Sequence, residues 1–199
     1  FDFPSDEVSP FYSRKIGLSE DGDIVPIHLA TKITGRTKNY NYGLMDVLLE
    51  GDTHPRNVFV GRARKNLADG STIGLISTLG DPRSDADSFS LGADYRYQTS
   101  EFLGKHNFST KAWMLGSYSE ADDQPGMETA YGMGAGFWNR DFVLFGGYSE
   151  VAANFNPALG YVERDDFRKY SMFFSYNPNY DEVDWLITSN HEYGFGLYT

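Results

Sequence analysis

A two-residue alternation of apolar with small or polar side chains runs through the chain from residue 26 onward, and it limits the fold more than any other feature. It is clearest over 88–97. Phe89, Leu91, Ala93, Tyr95 and Tyr97 share one parity, and Ser88, Ser90, Gly92, Asp94 and Arg96 share the other. Successive side chains of a strand point to opposite faces, so this stretch presents one apolar face and one wet face. The pattern recurs. Ile27, Leu29, Thr31 and Ile33 oppose His28, Ala30, Lys32 and Thr34; Phe59, Gly61 and Ala63 oppose Val58, Val60, Arg62 and Arg64. Tyr131, Met133, Ala135 and Phe137 oppose Gly132, Gly134, Gly136 and Trp138. Further runs at 40–49, 71–79, 105–119, 142–151, 167–176 and 185–198 bring the count to about ten strands and no helix. A phase slip near Asp46 predicts a bulge in the second run.

Most of these runs are about 9–12 residues long, where globular strands average about 5–6 and tilted membrane strands need about 9–11. A face rich in Gly, Ser, Asp and Arg does not suit the packed core of a sandwich. Tyr95, Tyr97, Tyr118, Trp138, Tyr148, Tyr176 and Tyr198 fall near the ends of the runs, where aromatic girdles lie. These features predict an all-β fold, an antiparallel up-and-down transmembrane β-barrel. A soluble up-and-down barrel or a β-sandwich also alternates, and the pattern leaves both open.

Residues 1–25 carry breaker and turn signals and no alternation, and read as an irregular lead-in or small plug segment ahead of barrel strands at 26–199. No apolar run is long enough for a membrane helix, and a mean hydropathy of −0.47 is compatible with a barrel, because only alternate residues meet lipid. With 17 Lys and Arg against 28 Asp and Glu, the net charge of −11 argues against nucleic acid as a partner. The absence of Cys excludes thiolate chemistry and disulfides.

The charged side chains on the wet parity are the best candidates for function. Lys32, Arg36, Arg62, Arg64, Asp94 and Arg96 are expected in the lumen, because an Arg or Lys facing mid-bilayer lipid costs about 2–4 kcal/mol. The facing of Lys111, which shares the parity of Trp113 and Leu115, is less determined. Two roles compete for this lumen charge cluster: a salt-bridged filling, with Asp94 and Asp46 as partners by parity, or a basic constriction for anionic or sugar-like solutes. Asn154-Phe155-Asn156-Pro157, with Arg164 downstream, reads as a structured loop or as a fold-back into the lumen that meets Arg62 or Arg64. Phe11-Tyr12-Ser13-Arg14-Lys15 would pack inside as a small plug. The inward glycines 132, 134 and 136 predict close approach by a loop or neighbouring side chain.

His28, His54, His106 and His191 form no close pair, so no transition-metal site is expected. The acidic groups Asp21/Asp23, Asp81/Asp85/Asp87, Asp122/Asp123 and Asp165/Asp166 read as solvated loops. Their sharper reading is Ca²⁺ bridging to anionic lipid heads. Glu150 with Asp165 is a nominal glycosidase pair without a defined separation, and no catalytic residue is expected.

Several short blocks carry a resemblance. Phe11-Tyr12-Ser13-Arg14-Lys15-Ile16-Gly17, Pro26-Ile27, Thr31-Lys32-Ile33-Thr34-Gly35-Arg36 and Tyr40-Asn41-Tyr42-Gly43-Leu44 form one set. Asn154-Phe155-Asn156-Pro157, Gly160-Tyr161-Val162, Arg164 and Phe167-Arg168 form another. Together they resemble an uncharacterised family of bacterial outer-membrane β-barrels. Its members usually carry an upstream domain similar to family 9 carbohydrate-binding modules. The resemblance implies the bacterial outer membrane as location and outer-membrane lipid as partner. It also implies an incomplete chain with further strands beyond Thr199, part of a larger barrel, with a ten-stranded closed barrel from this piece alone as the alternative. The expected function is passage or docking of small polar solutes, with saccharide as a candidate. The alternatives are a filled, non-conducting barrel that anchors a domain or joins an envelope protein complex, and a soluble β-sandwich binding protein or hydrolase.

Overall fold

The computed structural model describes residues 1–104, 106–121, 126–176 and 191–199. Ten of its strands make one continuous antiparallel sheet in meander order: β2 (Ile27–Arg36), β3 (Tyr40–Leu49), β4 (Arg56–Asn66), β5 (Thr72–Leu79), β6 (Ser88–Phe102), β7 (His106–Ser119), β8 (Glu128–Trp138), β9 (Phe142–Val151), β11 (Phe167–Tyr176) and β12 (His191–Tyr198). A two-stranded pair, β1 (Val8–Ser9) with β10 (Tyr161–Val162), lies apart from it. Among the described residues β2 and β12 are the two sheet edges and do not pair, so the sheet is not a closed barrel. Nor does it divide into the two packed sheets of a sandwich. Of the predicted runs, 185–190, Lys105 and Asp122/Asp123 lie outside the described residues.

Meander topology sends alternate connections to opposite rims. One rim carries the short turns at 37–39, 67–71 and 139–141; the other carries the longer connections at 50–55, 80–87 and 152–166. The hairpin between β6 and β7 extends past the short-turn rim. Its polar tip at 98–101 does not alternate in hydropathy, so the sequence reading ended this strand at Tyr97. The structure carries the ladder on to Phe102, with a register shift between Thr99 and Phe102. Leu103 and Gly104 reverse the chain at positive φ, and Phe102 stacks on Phe108 with ring centroids 4.7 Å apart. Tyr95 and Tyr97 therefore lie within the strand rather than at its end.

The sheet is inverted relative to a water-soluble protein. Its apolar parity is exposed, with Leu75 58%, Leu91 59% and Met133 59% accessible, while the small polar parity is buried, with Ser90 1%, Ser117 2% and Ser149 5% accessible. The expected bulge at Asp46 is absent. The register through Thr31↔Asp46↔Phe59 is continuous, and the irregularity sits between Ile27 and Leu29 instead. Asp46 therefore keeps the parity of Leu44 and lies on the apolar face. It is not an interior partner for the lumen cations, as its parity had suggested.

What covers the polar face is the lead-in and one long loop. Phe3 and Val8 pack with Ile76, Trp113, Leu115, Ala130, Val151, Phe155 and Phe167; Leu159 packs with Val47, Leu49, Val58 and Val60. Phe1 and Phe11 border both groups, their rings 5.0 Å apart edge-to-face. Asp2 and Glu7 reach Arg64 on β4 and Lys169 on β11. Six strand spacings, about 29 Å in a flat sheet, separate those strands. The five-residue step from Asp2 to Glu7 spans at most about 18 Å, and the long Arg64 and Lys169 side chains reach in from the two sides to meet it.

Inward glycines make room for large interior side chains. A Cβ on Gly132 would lie 2.8 Å from the Trp113 indole, and one on Gly136 would lie 2.2 Å from the Phe145 ring. Gly146, on the outer parity, has no atom nearer than 3.9 Å. Gly132→Ala is therefore expected to cost about 1–3 kcal/mol through displacement of Trp113. Gly146→Ala should change stability by less than about 0.5 kcal/mol. Thermal unfolding in detergent micelles, followed by near-UV circular dichroism of Trp, measures both.

Candidate functional site

Cross-strand register places all six residues of the expected charge cluster on the inward parity, where Arg62 and Asp94 are buried, Arg64 is half-buried, and Lys32, Arg36 and Arg96 are exposed. Lys32 and Arg36 pair with Met45 and Asn41; Arg64, Gly74 and Asp94 make one row across β4, β5 and β6. Arg62 lies one step from that row and crosses β5 diagonally to donate from Nη1 to Asp94 Oδ2 at 2.5 Å. Gly74 allows the crossing. A Cβ there would meet Asp94 Oδ2 at 2.6 Å and Arg62 Nη1 at 2.7 Å. Both side chains are buried, 8% and 4% exposed. The Phe3 ring lies 5.9 Å from the guanidinium carbon, a cation–π distance.

Four of the other inward cations find partners in the lead-in. Arg64 pairs with Asp2 at 3.4 Å, Lys111 with Asp6 at 3.4 Å and Lys169 with Glu7 at 3.0 Å, while Lys32 lies over the Phe1 ring at 5.8 Å. Lys111 shares the inward face with Trp113 and Leu115, and both it and Lys169 join the charges that the sequence reading had placed inside. Asp6 and Glu7 were not singled out, because acidic residues in a non-alternating stretch carry no periodic signal. A run of carboxylates ahead of a strand set with inward cations was the one available clue.

The 154–164 loop does fold back, but not onto Arg62 or Arg64. Phe155 and Pro157 are buried and Asn154 and Arg164 are exposed. Tyr12 N–H donates to Leu159 O at 2.7 Å, Lys15 Nζ to Ala158 O at 3.1 Å, Glu163 N–H to Glu7 O at 3.0 Å, and Asn156 N–H to Ser117 Oγ at 3.2 Å. Gly160 packs against the Ser9 carbonyl, which a Cβ would meet at 2.3 Å. Loop and lead-in thus form one unit inside the long-loop rim. Burial, and then the nearby Arg83 cation, pull the Lys15 ammonium below its ordinary pKa.

Toward the short-turn rim the interior is hollow. A cavity of about 550 Å³ lies between β6 and β11. Three rows of inward residues build it. The first holds Trp113, Gly132, Ser149 and Lys169, the second Arg96, Lys111, Gly134, Gly147 and Ser171, the third Gln98, Ser109, Gly136, Phe145 and Phe173. Trp138 adds its indole near the rim, stacked on Phe145 at 6.0 Å. Asp6 and Glu7 of the lead-in close the other end.

On the outer face Glu150 accepts from Tyr131 Oη at 2.6 Å and Tyr148 Oη at 2.5 Å, and pairs with Arg168 at 3.1 Å. The loop carboxylates Asp81 and Asp85 are also engaged, by Ser84 and by Thr53 and Arg56. Among the described residues no three His, Asp or Glu side chains converge as a metal site would require.

Searches against protein-family models, curated proteins and solved structures found no match to this chain.

Removing one partner of a buried ion pair leaves the other uncompensated and costs about 3–5 kcal/mol. Asp94→Ala should lose that much, and Arg62→Met with Asp94→Leu should recover most of it; chemical denaturation of the three proteins in micelles is the measurement. The lead-in carries a pH dependence through Glu7. Burial raises its pKa, but the Lys169 ammonium and the Ser5 hydroxyl outweigh it and hold the carboxyl below its ordinary value of 4.5. The folded pKa lies below the unfolded one, so this attachment is complete above pH 4.5 and is lost as pH falls through the folded pKa. Hydrogen exchange of residues 1–16 should quicken over that acid interval, and Glu7→Gln should remove the transition.

Proposed function

We propose that this chain forms part of a bacterial outer-membrane β-barrel whose interior is filled at one end by its own lead-in and docks small polar solutes at the other. The inverted sheet carries this reading. Its outward parity exposes Ile33, Leu44, Ile73, Leu75, Leu91, Met114, Met133 and Met172, and its inward parity buries serines and a salt-bridged arginine. In water such an apolar band would be an association or aggregation surface; against lipid it is the expected wall. Strand lengths of about ten residues and the contrast between a short-turn rim and a long-loop rim support the same reading. The resemblance of the 11–17, 31–36 and 154–168 blocks to outer-membrane barrels adds to it.

Docking is favoured over free passage by the buried lead-in and loop. The same observation favours the second reading, a filled barrel that anchors an envelope assembly and conducts nothing. Planar-bilayer recording separates passage from both, because a filled barrel gives no ion steps.

The membrane reading is tested with single cysteines in a chain that has none. Spin-labelled Leu75→Cys, Leu91→Cys and Met133→Cys in lipid vesicles should be accessible to oxygen dissolved in the bilayer and shielded from an aqueous nickel chelate. Ser90→Cys and Ser117→Cys should be shielded from bilayer oxygen. Aqueous accessibility at Leu91→Cys equal to that of the loop position Ser84→Cys overturns the reading.

A further inference from the structure

We propose that the cavity between β6 and β11 is a binding site for a hydroxylated carboxylate of about monosaccharide size, with Arg96 as its anion anchor. The proposal rests on the docking reading above and names the class of solute. Three observations lead to it.

The first is charge. The chain carries a net −11, yet the cavity wall carries three cations, Arg96, Lys111 and Lys169, and among the described residues Asp6 and Glu7 are the carboxylates that line the cavity with them. Among the described residues that leaves Arg96 without a facing carboxylate in an acidic protein. The second is register. Arg96 and Lys111 are direct cross-strand partners on β6 and β7. Like charges directly opposite one another are unfavourable. Lys111 is relieved by Asp6, whereas Arg96 has no carboxylate partner among the described residues. A carboxylate seated beside Arg96 would remove the repulsion and accept from a guanidinium suited to two-pronged recognition.

The third is the lining. The glycines at 134 and 147 leave bare floor in the row of Arg96 and Lys111, and nothing approaches a Cβ position on Gly134 closer than 3.4 Å. Gln98, Ser109 and Ser171 offer hydrogen-bonding groups around that floor, and Trp138 offers a ring face at the rim. A ligand with hydroxyls, one apolar ring face and a carboxylate matches all three. A neutral sugar would leave Arg96 unanswered, and a bare inorganic anion would leave the hydroxyl partners and the indole unused. Because Asp6 and Glu7 hold the neighbouring lysines, the lead-in defines one wall of the site.

The test uses the full chain refolded in detergent micelles, with galacturonate as probe and galactose and acetate as controls, read by quenching of Trp fluorescence and by calorimetry. Galacturonate is expected to bind saturably, and galactose and acetate at least tenfold more weakly. Arg96→Gln should weaken galacturonate at least tenfold, and Arg36→Gln, on the same face outside the cavity, should leave it unchanged. Equal binding of galactose and galacturonate overturns the assignment, as does an unaffected Arg96→Gln protein. If no probe binds while the spin-label alternation holds, the solute assignment fails and the membrane reading stands. If the alternation fails as well, both fall.

Discussion

The cost of placing charge in a wall only one residue thick governs this structure. A strand gives each side chain one of two directions, so every Lys and Arg on an alternating wall must face either the apolar side or the interior. The interior is the cheaper choice, and Arg62, Arg64, Arg96, Lys111 and Lys169 all take it. An inward basic face then needs counter-charge. The wall itself contributes Asp94, which Arg62 reaches only because Gly74 leaves the path over β5 clear. The rest comes from Asp2, Asp6 and Glu7, which lie outside the wall in sequence and inside it in space.

That division explains why the lead-in is ordered although it has no core of its own. Its aromatic residues Phe1, Phe3 and Phe11 fill the gaps left by small inward residues, and its acids neutralise the wall's cations. The 152–166 loop completes the unit through β10 and the carbonyls of Ala158 and Leu159. Filling ends where the glycines at 134, 136 and 147 begin. Beyond Asp6 and Glu7 those glycines leave the floor of the wall uncovered, and the cavity with Arg96 is the result.

The outer face follows the complementary rule. A dense polar cluster on it, Glu150 with Tyr131, Tyr148 and Arg168, lies next to the end of β9 rather than at mid-strand. On the membrane reading proposed above, charge on this face costs least near the interface, and the two tyrosine hydroxyls satisfy the carboxylate there. Asp46 shares the outer parity with Leu44 and pairs across β2 and β4 with Thr31 and Phe59.

Parity alone was enough to read the strands and to see that Lys32, Arg36, Arg62, Arg64, Asp94 and Arg96 share one face, because side-chain direction in a strand is a local property with a period of two. Parity misled at Asp46, where a polar residue on an apolar face looked like a shift of phase, and it stopped short at Tyr97, where a hairpin tip lost its hydropathy contrast while keeping its ladder. Partnership was not legible in this way. That Asp6 meets Lys111, that Glu7 meets Lys169 and that the Asn154–Pro157 loop meets the lead-in instead of Arg62 depend on how far the sheet bends and on which segment reaches a given row first. Those are long-range quantities, set by packing between elements more than a hundred residues apart, and no local pattern encodes them.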